Sequence, residues 1–109
     1  MLHLTAANYD TTTEKSTRAV VMFYAVWCGK CAMMKPVAED IEKKYSGRIT
    51  FCEVNIDECE DLAARYDADI VPTFLFYLNG KIAGKLKGII GQEILEERMK
   101  RILNLEQTR

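Results

Sequence analysis

The chain has 109 residues, 49% hydrophobic and 28% charged, the composition expected of one soluble globular domain over residues 1–109, which argues against the disordered and membrane classes together. Fifteen Lys and Arg against sixteen Asp and Glu leave a net charge of −1, too little positive charge for a nucleic-acid binder. The longest apolar run, Ala19 to Trp27, is about half of a membrane span, and no charged start followed by an apolar stretch resembles a secretory signal, so the cytoplasm is the expected compartment.

In chain order, Leu2 and Leu4 alternate with polar neighbours and suggest a strand. Residues 8–18 carry almost no apolar side chains and are expected to form a loop or one short helix, with Thr11 and Glu14 spaced as a capping box. Ala19 to Ala25 is continuously apolar, as a central strand covered on both faces would be. Beyond Cys28, Met34, Val37, Ile41 and Tyr45 recur at helical spacing until Ser46-Gly47, and Pro36 within this helix is expected to kink it. Ile49 to Ile56 is the next strand, and Asp57 with Glu60 reads as a capping-box start for a helix carrying Leu62, Ala63 and Tyr66.

Pro72 opens a strand over Thr73 to Leu78, Asn79-Gly80 is a two-residue hairpin turn, and Ile82 to Lys87 returns antiparallel with Gly84 at a bulge. Ile94, Leu95, Met99, Ile102 and Leu103 mark one face of a last helix, and the tail after Leu105 is expected to fray. This order is that of an α/β protein with a central mixed sheet flanked by helices on both faces.

The chemistry concentrates in Trp27-Cys28-Gly29-Lys30-Cys31, at the junction of central strand and helix. Two cysteines across a first helical turn can close a small disulfide, and the first sits beside unpaired N–H groups at the positive end of the helix dipole. A thiolate is stabilised there, and the thiolate is the attacking species in disulfide exchange. Cys28, with its exposure and its neighbour Lys30 favouring the thiolate, is the candidate nucleophile, and Cys31 is the resolving thiol.

A structural zinc site would need a second ligand pair, which Cys52, Cys59 and the lone His3 do not supply at matching spacing. Cys52 reads as a core residue and His3 as an ordinary surface residue. Met33-Met34 reads as core filling, and Cys59 as a semi-exposed thiol at a helix start, open to oxidation.

Taken together, Val20 to Ala25, Trp27-Cys28-Gly29-x-Cys31, Pro36, Asn55-Ile56-Asp57, Val71-Pro72-Thr73, Asn79-Gly80 and Gly88 resemble the thioredoxins over nearly the whole chain. The resemblance implies a thioredoxin fold, a cis Val71–Pro72 bond beside the cysteines, and a Val71 backbone able to pair with an extended substrate segment. It also implies an apolar substrate rim of Trp27, Gly29, Ile70, Val71, Gly88 and Ile89. The implied function is reduction of disulfides in protein substrates through a reversible Cys28–Cys31 dithiol/disulfide, with no bound cofactor. A thioredoxin reductase would recharge it, and the protein is expected to act as a monomer. The rivals are an oxidant of the protein disulfide isomerase kind and a non-catalytic binding module.

Three residues depart from the family's pattern. Lys30 stands where proline is usual, and its charge should make the protein a weaker reductant than a proline there would. Tyr24 stands where tryptophan is common. Met22 replaces the family's buried aspartate, the internal proton acceptor. Glu53 faces away from Cys52, Val54 and Ile56 on its strand and is implied to lie close to Met22, so it is the expected substitute acceptor for the Cys31 proton, its pKa raised by desolvation. Its rival is a Glu53 that bends out to solvent at the end of the sheet.

Overall fold

A computed structural model describes residues 1–105; the tail expected to fray lies outside them. Nine elements follow in the expected order: β1 (Leu2–Leu4), α1 (Tyr9–Lys15), β2 (Arg18–Tyr24), α2 (Gly29–Lys44), β3 (Thr50–Asn55), α3 (Glu60–Arg65), β4 (Thr73–Leu78), β5 (Lys81–Lys87) and α4 (Gln92–Ile102). The strands form one mixed sheet in the order β1-β3-β2-β4-β5, with β2 in the middle, as its unbroken apolar run requires. β3 runs parallel to β1 and to β2, while β4 runs antiparallel to β2 and to β5.

The register sorts side chains between two faces. Val20 and Met22 share one face with Phe51, Glu53, Phe74 and Phe76, and this face packs on Ala38 and Ile41 of α2 and Leu95 and Met99 of α4. On the other face Phe23 meets the rings of Tyr9 and Tyr66, which stack at 5.2 Å, and the Tyr9 and Tyr77 hydroxyls hydrogen-bond at 2.7 Å. Burying one such large side chain contributes roughly 1.5–3 kcal/mol, so these clusters clamp the helices to both faces.

Two expected capping boxes do not form. Thr11 and Glu14 lie inside α1, whose start is fixed instead by the fully buried Tyr9, while the side chain of its cap Asn8 turns back to accept from Thr5 N at 2.7 Å. α3 begins after Cys59 rather than Asp57, because the Asp57 carboxylate is used elsewhere. α2 continues through Pro36 to Lys44. At the hairpin, Asn79 and Gly80 both have positive φ, 52° and 81°, which suits the twist of the paired strands. The register slips between Phe76 and Tyr77 so that Ala83 is the extra residue, one before the expected Gly84. A Cβ on Gly84 would lie 2.9 Å from the tip of the Ile102 side chain, which would have to shift to admit it.

Candidate active site

The site lies where β2 ends and α2 begins. Cys28 is the N-cap of α2, with an extended backbone, and its Sγ accepts the Cys31 N–H at 3.1 Å. The same sulfur faces the Val71 carbonyl oxygen at 3.8 Å, across from the cis Val71–Pro72 bond. Both cysteines are free thiols. The exposure expected of Cys28 is not found: it is 8% exposed and Cys31 4%. What separates them is their setting. Burial, then the hydrogen bond with Cys28, pushes the Cys31 thiol up to about 12, against a smaller lowering by the Ala25 backbone. Cys28 sits at the open end of a sixteen-residue helix with no acidic residue in its first turn.

Around the sulfur, Trp27, Gly29, Lys30, Ile70 and Val71 line one shallow groove together with Asp69. Trp27 is 66% exposed, and its Nε1 donates to Asp57 Oδ2 at 2.8 Å, which holds the indole at the rim. Gly88, at φ +91°, does not line this groove; its N–H donates to the Pro72 carbonyl at 2.9 Å and places the exposed Ile89 beyond the proline. Pro72 itself is buried.

Behind the cysteines a cleft of about 200 Å³ is lined by Met22, Tyr24, Ala25, Cys28, Cys31, Lys35 and Glu53. Met22 and Glu53 are paired across β2 and β3. Glu53 does not bend out to solvent. Its side chain is 15% exposed, with Oε2 3.0 Å from His3 Nδ1 and Oε1 4.0 Å from Lys35 Nζ.

Several residues take different stations from those expected. His3 is no ordinary surface residue, since its two ring nitrogens bridge Glu53 and Glu58. Cys59 is buried, at 5% exposure, because the loop before α1 brings the Ala6 backbone against its sulfur, and burial pushes its thiol up. Met34 fills the core, but Met33 is 60% exposed, a consequence of sitting one residue round the helix. Val26, 80% exposed, was hidden in the apolar run of the central strand. Cys52 is fully buried, its thiol pushed up to about 12 by burial. Among the described residues no group of His, Cys, Asp and Glu is arranged to hold a metal ion, and no helix is long and apolar enough to cross a membrane.

Comparison with known proteins agrees with this arrangement. The family model for thioredoxin matches residues 1–101. Thioredoxin-1 of Caenorhabditis elegans is 37% identical over 78 residues, covering 72% of this chain and 67% of that protein. The mitochondrial thioredoxin of Bos taurus is 35% identical over 94 residues, 86% of this chain and 57% of the relative. The chloroplastic M-type thioredoxin of Spinacia oleracea is 32% identical over 91 residues, 84% and 50% respectively. The chain therefore spans between half and two thirds of the length of these relatives.

Among solved structures, a mutant thioredoxin from Halobacterium salinarum NRC-1 shares the fold with a TM-score of 0.84 at 24% identity, over 93% of this chain and 88% of that one. A chain from a structure on the thiol resolving mechanism of yeast mitochondrial 1-Cys peroxiredoxin via glutathione/thioredoxin systems has a TM-score of 0.85 at 27% identity, over 93% and 94%.

Proposed function

This chain belongs to the thioredoxin family, and on that premise we propose that it is a thiol–disulfide oxidoreductase that reduces disulfides in protein substrates. The observation that carries the reading is the Cys28 sulfur, held at the helix start by the Cys31 N–H and facing the backbone of Val71. An extended substrate segment pairs with that backbone, a form of strand addition, and covers the apolar rim of Trp27, Gly29, Ile70, Val71, Gly88 and Ile89. The Cys28 thiolate attacks one sulfur of the substrate disulfide, and the other sulfur leaves as a thiolate. Cys31 then loses its proton, attacks Cys28 Sγ, and expels the second substrate sulfur. Two electrons and two protons pass from the dithiol to the substrate, and the Cys28–Cys31 disulfide remains.

Lys30 lies beside the nucleophile and favours its charged form; Pro72 holds the strand against the pair. With Met22 where the family keeps an acid, Glu53 is the proton acceptor for Cys31: it lines the same cleft, whose volume exceeds the roughly 30 Å³ share of one water molecule. A thioredoxin reductase restores the dithiol, no bound cofactor takes part, and the protein acts as a monomer in the cytoplasm.

The test is equilibration with glutathione at known poise. A potential near that of thioredoxin, about −270 mV, is expected; one near −180 mV, the protein disulfide isomerase range, would reverse the assigned direction. Cys31→Ser should trap mixed disulfides with substrate proteins, and failure to trap any would remove the two-step mechanism.

A further inference from the structure

The contacts of Glu53 extend beyond the cleft. Parallel pairing of β1 with β3 sets His3 opposite Glu53, with Nδ1 3.0 Å from Glu53 Oε2 and Nε2 2.9 Å from Glu58 Oε1. Ionised carboxylates only accept hydrogen bonds, and a neutral imidazole has one N–H and one lone pair. With His3 neutral and both carboxylates ionised, one contact therefore sets lone pair against lone pair. One added proton satisfies both. The three side chains form a receptor for a single proton, and exposure rises along it, from 15% at Glu53 to 41% at His3 and 51% at Glu58. One end of this series lies in the cleft with Cys31 and the other in solvent.

We propose that His3 is the positioning residue of a proton path in which Glu53 takes the proton released by Cys31 and passes it to His3, which returns it to solvent. The path rests on the reading of Cys31 as resolving thiol and Glu53 as its acceptor. The Cys31 proton moves to Glu53 and on to the Nδ1 side of His3. The new Cys31 thiolate forms the bond to Cys28 Sγ, the bond from Cys28 to the substrate sulfur breaks, and the departing thiolate takes a proton from solvent. The His3 imidazolium then releases the proton it received, so protons and electrons balance.

The charges around His3 fit this role. From β3 and the turn after it come Glu53 and Glu58; α2 brings Lys35 to the far oxygen of Glu53 and β2 contributes the Tyr24 hydroxyl. The amino group of Met1, just before β1, is engaged by Glu42. Hydrogen bonds from Glu53 and then Glu58 hold His3 above its ordinary value, against a smaller lowering by desolvation.

Rapid mixing of the reduced full chain with Ellman's reagent tests the path. The first release of thionitrobenzoate reports attack by Cys28, and the second, independent of reagent concentration, reports resolution by Cys31. His3→Asn keeps an N–H in place of Nδ1 without a base, and should slow the second release about tenfold while erasing an inflection in its pH profile above about 6.5, with the first release unchanged. Glu53→Gln should slow it at least as much, and the double variant no more than Glu53→Gln alone.

A His3→Asn protein with the parent's rate and profile, or losses that add in the double variant, would overturn the path through His3 while leaving the acceptor role to Glu53. Full speed in Glu53→Gln would remove the acceptor itself, and no second release in the parent would remove Cys31 as resolving thiol. Because His3 is the sole histidine, its ring proton can be titrated by NMR without substituting it. Glu53→Gln should lower that midpoint, and an unmoved midpoint overturns the pairing.

Discussion

Cys28 and Cys59 hold the same station in two helices, the N-cap of α2 and the N-cap of α3, and both are less than a tenth exposed. Their surroundings differ in the charge and length of the helix behind each sulfur. α2 is sixteen residues long with Lys30 and no acid in its first turn, whereas α3 is six residues long and opens on Glu60 and Asp61. The Cys28 sulfur accepts the N–H of its own helix, while Cys59 makes no such cap bond, and burial pushes its thiol up against a smaller lowering by the Ala6 backbone. A cysteine at a helix start is therefore not enough. The helix behind the sulfur must be long and its first turn free of acids that cancel its dipole.

That contrast can be broken most directly by substitution. Cys28→Ser should lower disulfide reductase turnover by about a thousandfold or more, as loss of a nucleophile does, whereas Cys59→Ser should leave it within about twofold. Equal losses in a reductase assay would mean that reactivity does not follow the helix geometry. The next effect is labelling. In a short iodoacetamide pulse near neutral pH, peptide mapping should find Cys28 modified well ahead of Cys59, since the thiolate is the species that alkylates and burial pushes the Cys59 thiol up. Cys31 and Cys52, both pushed up to about 12, should stay unlabelled.

Sharpening the contrast means removing the acids from α3. Glu60→Gln with Asp61→Asn should raise Cys59 labelling only about two- to fivefold, the reach of a helix-end charge worth 0.3–1 kcal/mol, because burial still governs that sulfur. A jump to the Cys28 rate would assign the whole difference to charge.

The smallest effect concerns Glu58, next to Cys59 and bound by His3. A histidine raised in the folded state contributes stability that is fully present below about 6.5, its unfolded value, and is lost as pH rises through the folded one. The unfolding free energy from urea titrations should fall by less than about 1 kcal/mol from pH 6 upward, as for an exposed pair, and His3→Asn should flatten the slope. An unfolding free energy that rises with pH in the parent alone would reverse the sign assigned to His3.

Signals carried by neighbours in sequence were legible. The unbroken run at β2, Asn79-Gly80, and the step from Cys28 into a helical period each define an element without knowledge of the rest of the chain. Signals carried by register were not. His3 meets Glu53 only because β1 lies parallel to β3, fifty residues on, and no local pattern encodes that pairing. Asp57 followed by Glu60 has the spacing of a cap, but the Trp27 indole competes for the same carboxylate from thirty residues away and wins it. Tyr9 is one aromatic in a polar stretch, so the short α1 reads as loosely held until its ring is found stacked on Tyr66 and its hydroxyl on Tyr77. Glu53 was placed on the correct face by alternation alone, and the groups that grip it were not.

The slipped register at Ala83 bears on what this sheet refuses. A flat apolar border strand is a template on which a second chain can grow amyloid-like pairing. β5 interrupts itself at Ala83 and carries Lys81, Lys85 and Lys87, and the opposite border, β1, is only three residues long. Neither border offers a run of free backbone long enough to recruit a stranger. Under the proposed function, strand pairing with another polypeptide is left to the backbone at Val71, beside the Cys28 sulfur.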